Sequence, residues 1–255
     1  ASDVYKRQSF DHAVSRLGWC VQNFRGYQKK ILRDAFFEAF ETYETGCAPV
    51  IQELARGVAP ERQTQLLGRA AAAMLDELEA GWQKKGDMED EKIVLAIFFV
   101  PMVRKLQLPV SEEFVTLLQK KWVERYPKSP FYLGDYDSIS GGFRKKFLGL
   151  CFITTAVCQE LGKPDDCAEL TAFRAFRDGY LAAQPDGEAL IREYYNIAPG
   201  IVTCINTCSD RHASYERIRE QYLTPCYEDL LAGRNADCKT RYVQMVRDLE
   251  RKYLN

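Results

Sequence analysis

From Phe10 to Tyr253 apolar side chains return at three- and four-residue intervals, and runs that alternate β-branched with polar residues are absent. A helix gathers such positions on one face, whereas a strand needs a period of two. The chain is therefore read as all-α, a multi-helix bundle of about nine to ten helices in two packed halves. Its 255 residues, 46% of them hydrophobic, can bury a sizeable core without disulfide or metal staples.

Val14, Leu17, Val21, Phe24, Ile31, Ala35 and Phe36 support one or two helices between Phe10 and Tyr43, with Gly26 a weak point. Pro60 suits a first helical turn, and the alanine-rich run to Trp82 has strong helix propensity. Asp87 is expected to cap a pattern through Ile93, Ile97, Val100 and Val103, and Ser111 to start another through Phe114, Leu118 and Trp122. The longest break, Pro127 to Gly142, is dense in Pro, Gly, Ser and Asp. Its rings Phe131, Tyr132 and Tyr136 call for packing over the core or for a partner. Asp135 and Asp137 lack the further oxygen ligands of a calcium loop and read as turn chemistry. Five helices are expected after the break, near 143–161, 166–182, 187–206, 211–231 and 234–254. Asp166 and Glu169 suggest a capping box, Pro185-Asp186-Gly187 a turn, Pro199 a kink, and Gly233 a helix end.

Asp3 to Gln8 read DVYKRQ, which resembles the in-frame translation of a transposon mosaic-end sequencing adapter. Residues 1–8 are accordingly set aside as an adapter-derived tail, with the natural start, and any signal peptide or further domain, expected upstream. The remaining chain divides into an N-terminal helical region, 9–130, and a C-terminal helical domain, 131–255.

Lys and Arg total 35 against 36 Asp and Glu, a net charge of -1, so no global field favours nucleic acid or anionic lipid. The apolar runs Ile93 to Val103 and Phe147 to Cys158 fall short of the roughly 20 residues a membrane span needs. Nine cysteines, an odd number, are scattered through amphipathic segments instead of punctuating loops. That pattern argues against a disulfide framework and for reduced thiols in the cytoplasm.

Cys151-Phe152-Ile153-Thr154-Thr155-Ala156, followed by Phe173-Arg174-Ala175-Phe176-Arg177-Asp178 and Leu181, resembles the CFI-box C-terminal domain of uncharacterised bacterial proteins. Gly142-Phe143, Lys146-Phe147-Leu148-Gly149, Pro164-Asp165-Asp166-Cys167 and Pro185 to Leu190 are similar to the version found in gut Firmicutes. The resemblance covers 128–255. It implies a small bacterial helical module joined to varied partners, and it brings no activity with it. Val157-Cys158 replaces the aromatic and glycine of many members, which marks a divergent branch.

Cys151, Thr155 and Cys158, with Leu148 one turn earlier, share a face of the expected 143–161 helix. They can all be core, with the threonine hydroxyl returned to its own helix. Alternatively Cys151 is a nucleophile with Thr154 or Thr155 beside it, but such a thiol needs a base, and only His12 and His212 exist. If Asp166 is the N-cap, Cys167 occupies the first helical position, where the helix dipole favours a thiolate and Asp165 and Asp166 oppose it. Cys204, Cys208 and His212, four residues apart, would offer zinc a stripe of ligands on a continuous helix, with Cys226 or Cys238 as a fourth. Asn206-Thr207 and Ser209-Asp210 look like a helix end and a new cap that break it, so no metal is expected. Phe173, Phe176 and Tyr180 form an aromatic stripe. Arg174 is placed to pair with Asp178, and Arg177 with a carboxylate on a neighbouring helix or with an anionic ligand.

The reading that follows is a non-enzymatic interaction or assembly module with a protein partner, no cofactor and no nucleic acid. A thiol-dependent enzyme or redox sensor using Cys167 or Cys151 is the alternative, and a zinc-stabilised module the third.

Overall fold

Every residue from Ile93 to Val103 is apolar, and every one is buried. A helix buried on all sides belongs at the centre of its unit, not on an amphipathic surface, and the computed structural model places it so. It describes residues 2–84, 86–144 and 151–255, and among them contains eleven helices longer than a single turn and no strand. The count is slightly above the nine to ten expected. No helix among the described residues is long and apolar enough to cross a membrane. The chain divides into two units, one of residues 1–30, 36–140 and 207–209, the other of 31–35, 141–206 and 210–255.

In the first unit, α1 (Ser2–Leu17) packs along α2 (Phe36–Gly57), and α3 (Gln63–Gly81) packs on α5 (Ser111–Arg125). Residues 3–8 form the opening turns of α1, with Val4 and Tyr5 exposed. Gly57 makes the α1–α2 approach possible, since a side chain there would overlap the backbone of Phe10. The stretch between α1 and α2 is broken by a single turn at Trp19–Gln22, Gly26 at a φ of 89°, and a tight turn at Tyr27–Lys30.

The central helix α4 (87–105) contains a π-type turn, Leu95–Phe99, just before Pro101. The wider turn accommodates a ring that can neither donate to nor fit under a regular α-turn. Asp87 does not cap this helix: Gly86 holds the cap position, and the Asp87 carboxylate accepts from the amides of Gln83 (2.8 Å) and Lys84 (3.2 Å), closing the preceding turn. Glu91, fully buried, accepts from Arg25 Nε (2.6 Å) and Trp82 Nε1 (2.7 Å).

The long loop folds back on this unit. Phe131 is buried against Trp122 and half-buried Tyr136 packs on Phe40, whereas Tyr132 is exposed. A helix, α6 (Tyr136–Arg144), begins inside the segment read as loop. Residues 131–140, expected with the C-terminal half, thus belong to the first unit.

The second unit contains α7 (Phe152–Glu160), α8 (168–181), α9 (Gly187–Cys208, whose last two residues count with the first unit), α10 (211–231) and α11 (Asn235–Tyr253). Residues 145–150, and with them Leu148 and the Lys146–Gly149 element, lie outside the described residues. The single helix expected over 143–161 is absent at Cys151, which has a φ of -105° and a ψ of 78°. Two further π-type turns, Phe176–Leu181 in α8 and Arg219–Leu223 in α10, interrupt this unit, the second ahead of Pro225.

Pro199 lies inside α9, and beside it Gly200 lets the 31–35 segment approach. Arg33 donates its amide to the Asn196 carbonyl and Asp34 to the Asn196 side chain, each at 3.0 Å. A Cβ at Gly200 would overlap the Ile31 carbonyl oxygen. Gly200→Ala should therefore destabilise the protein by about 1–3 kcal/mol, measured by chemical unfolding, and an unchanged midpoint would show that the segment can move aside. Asp229, buried where α10 turns into α11 at Gly233 (φ 72°), pairs with Arg234 (2.7 Å) and Arg241 (2.9 Å). Arg234 first, then Arg241, hold its carboxyl below the usual range. A depressed folded pKa gives stability that is complete above about pH 4 and lost as pH falls through the folded value. Asp229→Asn should lower Tm at neutral pH and leave a shallower acid limb, which a pH series of melting curves checks.

Candidate functional site

The two motif segments, 151–155 and 173–178, meet in the second unit. The Arg177 guanidinium, 9% exposed, places Nη1 3.6 Å from the Cys151 sulfur and 3.2 Å from the Tyr195 hydroxyl. Its other nitrogens form a fork on Asp178, Nε to Oδ1 at 2.6 Å and Nη2 to Oδ2 at 2.8 Å. A buried cation needs such a counter-charge, and the planar fork suits it. The pair holds Asp178 below the usual carboxylate range and Arg177 above its ordinary value.

The other half of the motif is held by tyrosines. The Ile153 amide donates to the Tyr194 hydroxyl at 3.0 Å, and Thr154 Oγ1 lies 3.2 Å from the Tyr242 hydroxyl, which donates to Tyr194 at 3.4 Å. The Phe152 ring meets Tyr195 and the Phe173 ring meets Tyr242, at centroid distances of 5.9 and 5.8 Å. Burial pushes the Tyr194 and Tyr242 phenols up, so both stay protonated donors. Thr155 Oγ1 is buried with no hydrogen-bond partner, so the expected return bond to its own helix is not made.

Some of these groups border a narrow, mostly apolar cleft between α8, α9 and α11. Cys151 and Arg177 lie in its wall with Phe173, Phe176, Ile191, Tyr242 and Val243. Leu181, Leu190, Ile191 and Val243 are only half-buried, so the cleft presents apolar surface to solvent.

Several expected pairings come out differently. Arg174 reaches back to Asp165, bonding its carbonyl and its carboxylate at 2.7 Å each, while Asp178 serves its chain neighbour Arg177. The π-type turn at Phe176–Leu181 changes the angular phase on which the 174–178 pairing rested. Cys167, not Asp166, is the N-cap of α8, with extended backbone (φ -60°, ψ 155°), and Glu169 pairs with Lys163 instead of closing a capping box. Cys167 therefore precedes the first helical turn. Its sulfur lies 3.9 Å from that of Cys158.

The zinc stripe is not assembled. Cys204 is fully buried with its sulfur 3.7 Å from the Tyr253 carbonyl, and Cys208 ends α9 beside Thr207. Asp210 then caps α10 by accepting from the Ala213 amide at 3.1 Å, and exposed His212 turns to Glu160 at 3.5 Å. Among the described residues no group of three or more His, Cys, Asp or Glu could hold a metal ion. His12 pairs with Glu53 in the first unit.

Sequence reasoning missed the tyrosine hydroxyls. Tyr242 reads as one member of an apolar series with Cys238, Met245 and Leu249, and only the adjacent pair Tyr194-Tyr195 hinted at a polar cluster. Compared with protein-family models, with curated proteins and with solved structures, the chain finds no match in any of the three.

Burial pushes the Cys151 thiol up and the Arg177 cation pulls it down, and burial prevails. Alkylation of Cys151 should thus be slow at neutral pH and accelerate only above the usual thiol range of about 8.5, whereas a rate that levels off below it would mark an activated thiolate. Tyr194→Phe, which strands the Ile153 amide, should cost about 1–2 kcal/mol of unfolding free energy, as measured by denaturant titration.

Proposed function

We propose that the chain is a non-enzymatic helical interaction module, a divergent CFI-box-type bacterial protein, whose second unit seats apolar side chains of a protein partner in the cleft beside Cys151. The convergence of the two motif segments on one apolar cleft carries this reading. Several of their polar groups are paired within the unit: Arg177 with Asp178 and Tyr195, the Ile153 amide with Tyr194, Thr154 with Tyr242. Phe173 and Phe176 line the cleft, with Cys151 beside them. Such a division suits recognition by shape and burial, in which a few apolar anchors enter a groove between helices. The protonated state of Cys151 supports the same reading, since a nucleophilic thiol works as the thiolate.

Selection of a displayed peptide library on the whole protein tests this. Recovered peptides should carry apolar anchors at helical spacing, and Ile191→Asp should weaken their binding by about tenfold or more, equivalent to about 1.4 kcal/mol. Leu231→Asp, at an exposed apolar position in the same unit outside the cleft lining, should leave binding unchanged. Equal sensitivity to both substitutions, or to neither, would overturn the assignment of the cleft.

A further inference from the structure

Six of the nine cysteines stand thiol beside thiol: Cys20 with Cys47, Cys226 with Cys238, and Cys158 with Cys167. The first two pairs are sealed, all four residues having no exposed surface. The third differs. Cys158 is buried near the end of α7, but Cys167 is half-buried at the start of α8, and their sulfurs are 3.9 Å apart. A disulfide needs about 2.05 Å, so the sulfurs must close by somewhat under 2 Å, a movement within reach of side-chain rotation at a cap position.

The surroundings favour exchange. The connection from Leu161 to Asp166 turns back at Gly162 (φ 67°), and the Lys163 amide donates to the Cys158 carbonyl at 2.9 Å, which holds the two helix ends together. A second cleft is lined by Cys158 with Lys163, Glu169, Arg219 and Tyr227, so the Cys158 side of the pair borders solvent space, and the Glu169 carboxylate there pairs with Lys163 and meets the Cys167 thiol. Burial first, then the Cys167 thiol, push Cys158 up to about 12.

We propose that Cys158 and Cys167 form a thiol–disulfide switch oxidised by a low-molecular-weight disulfide, with Cys167 attacking and Cys158 resolving. The Cys167 thiolate attacks one sulfur of the small disulfide, whose S–S bond breaks and releases one thiol. Capping Cys167 removes its charge from beside Cys158, which then gives up its proton and attacks the Cys167 sulfur. The mixed disulfide breaks and the second small thiol leaves. In sum, two protein thiols lose two electrons and two protons, and one small disulfide becomes two thiols. The new bond ties the start of α8, whose Phe173 and Phe176 line the apolar cleft, to the end of α7. The switch does not depend on what that cleft binds.

The test is titration of the reduced 255-residue chain with glutathione disulfide, followed by acid quench, alkylation and peptide mapping. A Cys158–Cys167 cross-linked peptide should appear, while Cys20, Cys47, Cys226 and Cys238 remain alkylatable after denaturation. Cys167→Ser should leave Cys158 reduced, and Cys158→Ala should trap a glutathione adduct on Cys167, with circular dichroism confirming that both variants fold. If the buried Cys158→Ala fails to fold, the wild-type time course serves in its place, with the Cys167 adduct rising before the cross-link. A stable Cys167 adduct in the wild type, or cross-links in the sealed pairs ahead of this one, would overturn the proposal.

Discussion

A guanidinium taken out of water has to be answered by the groups around it, and in the second unit Arg177 sets that demand. Asp178 supplies the charge and Tyr195 an oxygen, and the Cys151 sulfur fills the remaining side. Because the partners come from a π-type turn, from α9 and from the residue ahead of α7, satisfying one side chain fixes the mutual placement of three segments. The tyrosine hydroxyls extend the same logic from Ile153 to α11. With these polar needs met internally, the facing apolar side chains are left to border a cleft instead of collapsing into a closed core.

The first unit rests on a different constraint. A helix apolar on all sides must be surrounded, and α4 is enclosed by its unit along its whole apolar run. Buried charge sits at its start, where Glu91 pairs with Arg25 and accepts from Trp82, and Lys92 pairs with Glu89 and donates to the Ser129 hydroxyl at 2.7 Å. The loop residues Ser129 and Phe131 thereby become part of the core's lid, the Trp122 indole donating to the Ser129 carbonyl at 2.8 Å. This explains why the stretch after Pro127, which looks like a linker in composition, belongs with the unit before it.

The helical class and most helix positions were legible because a 3.6-residue period survives in almost every segment, and because Pro185-Asp186-Gly187, Asp210 and Gly233 mark their turns by local chemistry. Boundaries failed where tertiary demands outweighed local preference. Asp87 and Asp166 look like caps, yet one carboxylate serves the previous turn and the other yields the cap position to Cys167. Pairings failed wherever a π-type turn shifted the helical phase, as between Arg174 and Asp178. The convergence of 151–155 with 173–178 was not legible in the sequence, since no spacing rule carries a cysteine to an arginine twenty-six positions away.

The sealed cysteine pairs have a consequence of their own. Cys20 and Cys47 lie in the first unit, Cys226 and Cys238 in the second, and in the closed state none of the four meets solvent. A reagent in water can reach either pair only after its own unit has opened. Each unit thus carries an internal clock for its own breathing, and the order in which the two pairs surrender their thiols ranks the units by how often they come apart.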